Sequence, residues 1–265
     1  MLMIKLVING AAGRMGQRIL ALALESGKFD IVAALEHPSS NQLGKDAGEV
    51  AGVGKIGVCL TSEKPANADV MIDFTLATAA DDTIDYCAAT KTALIMGTTG
   101  LTDEQFARLD ELAKKVPLVQ ATNMSVGMNV LFEMVGQFAE KLGEEYDIEI
   151  VEHHHRFKKD APSGSAITLA ERVAEGAGLD VNKALQHGRE GRDALRRKGE
   201  IGMHAVRGGD IIGYHEVIYS TLGETVIVEH RAHNRDNFVR GAIRAAQWIV
   251  GRKPGRYSMK DVLGL

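Results

Sequence analysis

Near its start the chain runs from an apolar strand through evenly spaced glycines into a helix, a succession few folds accept. Met3-Ile4-Lys5-Leu6-Val7-Ile8 has the composition of a buried strand and ends at Asn9-Gly10. Gly10-Ala11-Ala12-Gly13-Arg14-Met15-Gly16 follows, then a helical pattern with Met15, Ile19 and Leu22 on one face. The G-x-x-G-x-x-G spacing is one residue longer than the usual dinucleotide fingerprint, so context carries the reading. A second strand, Ile31–Leu35, ends on Glu36. That places a carboxylate roughly 20 residues beyond the glycine turn, where a ribose hydroxyl is bound in dinucleotide folds. Parallel strands need crossover helices, so the pattern predicts a layered α/β domain of Rossmann type.

The alternation continues. Ala68–Phe74, Ala93–Met96 and Pro117–Ala121 are expected strands, Thr78–Ala89 an expected helix, and Thr102 with Gln105 a capping box for the next one. Loops at the carboxyl ends of parallel strands line the ligand crevice. Gly97, Thr98 and Thr99, and Ala121, Thr122, Asn123 and Met124, are therefore candidates for the nicotinamide end of a cofactor. Glu36 repels the 2′-phosphate of NADP and His37 after it is mostly neutral at pH 7, so NADH is expected to be preferred or both forms used. Asn41–Gly57 holds five glycines with little periodicity and is expected to be a long surface loop without chemistry.

A chain of 265 residues is long enough for two modest domains. The net charge of −4 argues against a nucleic-acid binder. Cys59 and Cys87 form no metal-ligand pattern and fit a reducing compartment. No apolar run approaches the ~20 residues of a membrane span. A cytoplasmic protein without nucleic-acid or membrane partners is expected.

The chemistry concentrates in Val151–Ala166. Ile148, Ile150 and Val151 lead like a strand into His153, His154 and His155, then Arg156, Lys158 and Lys159. Pro162 and Gly164 break the chain before a helical pattern through Ile167, Ala170, Val173, Ala174 and Ala177. Ser163 is the natural N-cap, leaving the amides of Gly164 and Ser165 outward. Basic side chains beside a helix N-terminus suit carboxylate or phosphate, and the histidines and lysines can deliver a proton. Alternation puts His153 and His155 on one face and His154 on the other. A zinc site needs three or four converging ligands, and neither cysteine nor paired acids lie nearby, so no metal is expected.

Val126–Leu142 is expected to be helical, and Gly178–Gly199, with Arg189, Arg192, Arg196, Arg197 and Lys198, a solvated segment. Strand-like runs at Ile201–Val206, Asp210–Ser220 and Glu224–Ala232 are in places apolar on both faces, which predicts self-association through a sheet. The last helix, Phe238–Val250, is expected to return to the first domain. The domains expected are thus 1–125 with 235–265, and 126–234.

The run Glu152-His153-His154-His155-Arg156-Phe157-Lys158-Lys159-Asp160-Ala161-Pro162-Ser163-Gly164-Ser165-Ala166 closely resembles the signature of the 4-hydroxy-tetrahydrodipicolinate (dihydrodipicolinate) reductases of lysine biosynthesis. Gly10–Gly16, Asp69–Thr75, Gly97–Gly100, Asn123–Asn129, Gly202–Gly213 and Asn234–Trp248 extend the likeness along the chain. The resemblance implies a dinucleotide-binding domain plus an α+β substrate and tetramerisation domain with an open mixed sheet. It implies His154 and Lys158 as proton-handling residues, His155, Gly164 and Ser165 as contacts to a cyclic dicarboxylate, and NADH or NADPH as cofactor. Gly10, Ala11, Ala12, Gly13, Arg14, Met15 and Glu36, with Gly97–Thr99 and Ala121–Met124, would hold that cofactor. Met124 stands where an aromatic is common, His37 where some members carry arginine, and Ser165 where threonine is usual. The rivals are another nicotinamide dehydrogenase and a non-catalytic dinucleotide-binding redox sensor. A short-chain dehydrogenase is disfavoured because no Tyr-x-x-x-Lys occurs. A sensor would have no reason to keep His154, Lys158 and an anion clamp together.

Overall fold

The structure, a computed structural model, describes residues 3–265. In chain order it has β1 (Ile4–Asn9), α1 (Arg14–Ser26), β2 (Phe29–Leu35), α2 (Ala47–Val50), β3 (Leu60–Thr61), β4 (Val70–Asp73), α3 (Ala80–Thr90), β5 (Ala93–Met96), α4 (Asp103–Ala113) and β6 (Pro117–Gln120). Then come α5 (Val126–Leu142), β7 (Asp147–His154), α6 (Gly164–Ala177), α7 (Val181–Ala184), β8 (Leu185–His187), β9 (Ile201–Arg207), β10 (Tyr214–Thr221) and β11 (Glu224–Arg231). The chain ends with α8 (Asp236–Ile249), β12 (Gly255–Tyr257) and α9 (Met259–Leu263). It divides into two units, Met1–Val126 with Arg235–Leu265, and Gly127–Asn234.

The first unit holds seven strands in the order β12-β6-β5-β4-β1-β2-β3, all parallel. Every residue of β4 and β5 is buried, as strands covered on both faces must be. Ile19 and Leu20 of α1 and Val239, Ala242, Ala246 and Ile249 of α8 fill one core. Ile84 and Cys87 of α3, with Leu109 and Leu112 of α4, fill another. The last helix thus packs into the first unit's core. Arg18 of α1 donates to Asp236 of α8 through Nε and Nη2, at 2.8 and 2.7 Å. A Cβ on Gly241 would fall 1.6 Å from the Met124 carbonyl oxygen, so α8 lies against the chain leaving β6 as only glycine permits.

The second unit is a mixed sheet in the order β11-β10-β7-β9-β8, with β10 antiparallel to both its neighbours. Met128, Leu131 and Val135 of α5 and Leu169, Ala170 and Val173 of α6 bury Ile148, Ile150, Met203, Val217 and Tyr219 of the sheet. The two helices approach at glycine: a Cβ on Gly176 would sit 2.0 Å from the Gly136 carbonyl oxygen. The alternate sheet residues, among them Ile218 paired with Ile227 and Glu216 paired with Glu229, face away from this core. Ile227 is 53% exposed.

Four expectations need correcting. Asn41–Gly57 is not a plain loop: Asp46 caps α2 and accepts from the amides of Gly48, Glu49, Ile56 and Gly57. Gly178–Gly199 contains α7 and β8, and two of its arginines leave solvent. Arg189 donates to both oxygens of Glu149 at 2.9 Å, and Arg196 to Glu149 Oε1 at 2.5 Å. Their charge is spent on a carboxylate 40 and 47 residues away. Finally, β10 begins only at Tyr214, and Ile167 is exposed on α6. The chain before β10 turns back toward β7, where Gly208 N donates to His154 O at 2.9 Å.

Candidate active site

The period of β7 decides which side chains can meet. Ile148, Ile150, Glu152 and His154 share the face covered by the helices. Glu152 is therefore a carboxylate on a core face, wholly buried. A buried charge persists only when paired and hydrogen-bonded. Arg207, at the end of neighbouring β9, donates from Nη1 to Oε2 at 2.8 Å and from Nη2 to Oε1 at 2.7 Å. The Ser163 amide donates to Oε1 at 3.0 Å, and His154 Nδ1 lies 2.6 Å from Oε2. Burial pushes this carboxyl up, but the hydrogen bonds from His154 and Arg207 overcome it and hold Glu152 down at about 2.

Ser163 caps α6, its Oγ accepting from Ala166 N at 3.2 Å, so Gly164 and Ser165 open the first turn. A Cβ on Gly164 would meet nothing within 4 Å, which leaves that turn open for a ligand. His215 is buried with Nε2 3.2 Å from Ser163 Oγ, and its ring meets that of His154 edge-on at 5.1 Å. Burial, reinforced by His154, pushes His215 down to about 3, so it is neutral in the working range. Lys158, partly buried, pairs with Asp160 at 2.9 Å. Arg207 Nη2 also donates to the Asp160 carbonyl at 2.7 Å, tying the turn that carries Lys158 to the sheet. His155 is half-buried just beyond the strand. One segment thus gathers an imidazole, an ammonium group and an open helix N-terminus, which together can bind a carboxylate and move a proton.

Glu152, Arg207 and His215 have no assigned role in the sequence reading. For Glu152 a signal existed, because an acid two residues before a histidine on an otherwise apolar strand face must be buried with it. Arg207 lies 55 residues from its partner and carried no such signal.

In the first unit the cofactor candidates follow β1, β2, β5 and β6, at the carboxyl edge of one parallel sheet. Gly10 has φ +79°, and a Cβ on Gly16 would fall 2.1 Å from the Gly10 carbonyl oxygen, so turn and helix close up only with glycine. The N-cap of α1 is Gly13, with no side chain capping it and no acid in the first turn. Its outward amides fit a pyrophosphate. Arg14 is exposed beside them, whereas Ala11 is buried and Met15 packs against the core. Glu36 Oε2 accepts from the Ala12 amide at 3.0 Å, which holds this carboxylate at the glycine turn.

Behind this edge Asp73, wholly buried, accepts from Asn9 Nδ2 and Thr83 Oγ1 at 2.7 Å and from Thr98 Oγ1 at 2.5 Å. Thr98 is consequently spent on bracing the loop. Gly97 lies under the Phe74 ring, 2.3 Å from where a Cβ would be. Thr99 and Thr122 are exposed, and Asn123 Oδ1 accepts from Ser125 N at 2.9 Å. The Met124 side chain is in the core. No helix among the described residues is long and apolar enough to cross a membrane, and none of their acidic, histidine or cysteine side chains cluster as a metal site.

Two family descriptions match: dihydrodipicolinate reductase, N-terminus, over residues 4–124, and dihydrodipicolinate reductase, C-terminus, over residues 127–263. The chain belongs to the dihydrodipicolinate reductase family. Reviewed relatives named 4-hydroxy-tetrahydrodipicolinate reductase include those of Trichlorobacter lovleyi and Geobacter metallireducens, each 49% identical over 99% of this chain and 100% of theirs. A dipicolinate-bound dihydrodipicolinate reductase from Paenisporosarcina shares the fold, with a TM-score of 0.70, 22% identity and coverage of 97% of this chain and 98% of that one. An amine dehydrogenase from Mycobacterium smegmatis shares it more loosely, with a TM-score of 0.64 at 14% identity, over 97% of this chain and 95% of its own. His154, Lys158 and the start of α6 all lie within residues 127–263, matched by the C-terminal description.

Proposed function

We propose that this chain reduces 4-hydroxy-tetrahydrodipicolinate to tetrahydrodipicolinate with NADH or NADPH, in the diaminopimelate route to lysine. The observation that carries the proposal is full-length family membership with His154, Lys158 and an open α6 N-terminus held on one segment. When bound, the reduced nicotinamide supplies the hydride. The substrate gains that hydride and one proton and loses its hydroxyl as water, so the protein must bind a dianion and deliver a proton.

Gly164 and Ser165 present helix-terminal amides to one carboxylate, and His155, just past the end of β7, makes a further contact to the substrate. Lys158, on a turn pinned by Arg207, neutralises charge as it develops on the ring. His154 or Lys158 delivers the proton. The dinucleotide is held by Gly10–Met15, Glu36, Gly97–Thr99 and Ala121–Met124, with Thr98 and Met124 contributing through their backbone because their side chains are buried.

Glu36, followed by His37 rather than an arginine, supports NADH use at least equal to NADPH; a strong measured NADPH preference would refute that part. The sheet face turned away from α5 and α6 supports assembly into a homotetramer, and the chemistry suits the cytoplasm. Reduced-nicotinamide oxidation, started with freshly generated dihydrodipicolinate-synthase product, tests the activity. Turnover dependent on that product is expected; none with either nicotinamide form would reject it.

A further inference from the structure

We propose that Glu152 is a positioning residue that fixes the proton on His154 Nδ1, so that Nε2 is the atom through which His154 exchanges a proton with the substrate. The inference deepens the reductase reading and rests on it. Glu152 Oε2 lies 2.6 Å from Nδ1, inside the range of a strong charge-assisted hydrogen bond. Glu152 is ionised throughout the working range, so it can only accept, and Nδ1 must be the donor. Neutral His154 therefore keeps its lone pair on Nε2, and protonated His154 has its second N–H there.

The surroundings leave Glu152 little freedom to do otherwise. Arg207 grips both carboxylate oxygens, which fixes the plane in which Oε2 meets the imidazole. A Cβ on Gly213 would come 3.4 Å from His154 Nε2, an ordinary van der Waals contact, so the chain before β10 lies along that edge of the ring. His215, the other imidazole against His154, is spent on Ser163 Oγ. Arg207 is paired with Glu152, and Lys158 with Asp160. The second Glu152 oxygen accepts from the amide of Ser163, the residue capping α6. One buried carboxylate thus sets both the proton donor and the start of the carboxylate-binding helix.

The test combines a spectroscopic and a kinetic readout. In the unmodified protein labelled with 15N-histidine, long-range nitrogen–proton spectra should show His154 above its titration as the Nδ1–H form. A dominant Nε2–H form would overturn the proposal without any variant having to fold. Glu152→Gln, whose amide can face Nδ1 through either its oxygen or its NH2 group, should lower kcat by about 100-fold or more. The KM for NADH should stay within about threefold, and the affinity for dipicolinate, a planar dicarboxylate probe, should fall by far less than kcat. Unchanged kcat, or a loss that merely tracks dipicolinate binding, would make Glu152 a structural ion and overturn the proposal. If the unmodified protein shows the Nδ1–H form but turns over no substrate, the reductase reading fails while the tautomer assignment stands.

Discussion

Lys158 rests on Asp160, whose side chain is 60% exposed, so the ion pair is a weak one that another anion can replace at little cost. Its ammonium should matter most as ring charge develops. Lys158→Ala is therefore expected to lower kcat by about 100-fold while changing substrate KM only a few-fold, by steady-state kinetics. Unchanged kcat with a raised KM would reassign Lys158 to plain binding. His215 has the opposite character, neutral and enclosed. Its folded value of about 3 lies below the 6.5 of an unfolded histidine, so the unfolded chain binds more protons between those limits. Stability then rises with pH across that window and is lost on acidification below about 6.5, by at most about 1.4 kcal/mol per pH unit. Glu152 adds to the loss only below about 4.5, as pH falls toward its folded value of about 2. Thermal melts should show a falling Tm from pH 7 to 5, and His215→Gln should flatten that fall. An equal slope in the variant would place the sensitivity elsewhere.

At the level of elements, glycine fixes approach distances that no other residue tolerates. Gly241→Ala puts a methyl group against the Met124 carbonyl and is expected to cost at least about 1–3 kcal/mol by chemical denaturation, because backbone must shift. Asp46→Ala removes the acceptor for the amides of Gly48, Glu49, Ile56 and Gly57, so hydrogen exchange across 42–57 should accelerate while β1, β4 and β5 stay protected. Exchange rates unchanged in that segment would contradict the assignment. The parallel strands and their helices were legible because burial on both faces writes apolar runs between turn residues. The Asp46 knot was not, since its donors are backbone amides and leave no side-chain pattern. Nor were Arg189 and Arg196, since an arginine run looks the same in sequence whether it is solvated or turned onto Glu149. At the site, capping by Ser163 and the alternation of the histidines followed from local rules, whereas Glu152 gains its meaning from Arg207 on another strand.

For the whole molecule, the outward sheet face joins Ile218 and Ile227 across β10 and β11 to the flanking acids Glu216 and Glu229. Assembly through that face is expected to give a tetramer by sedimentation. Ile227→Asp should dissociate it by placing an unpaired charge in the contact, and a monomer for the unmodified chain would remove the sheet from that role. The central claim, that a nicotinamide-binding unit and a proton-delivering, dianion-binding unit make one reductase, is tested most directly by a single assay. Oxidation of NADH is followed optically on adding the fresh product of dihydrodipicolinate synthase. The account predicts oxidation stoichiometric with that product and abolished in a His154→Ala, Lys158→Ala double variant; no oxidation with NADH or NADPH, or undiminished oxidation in the double variant, would contradict it.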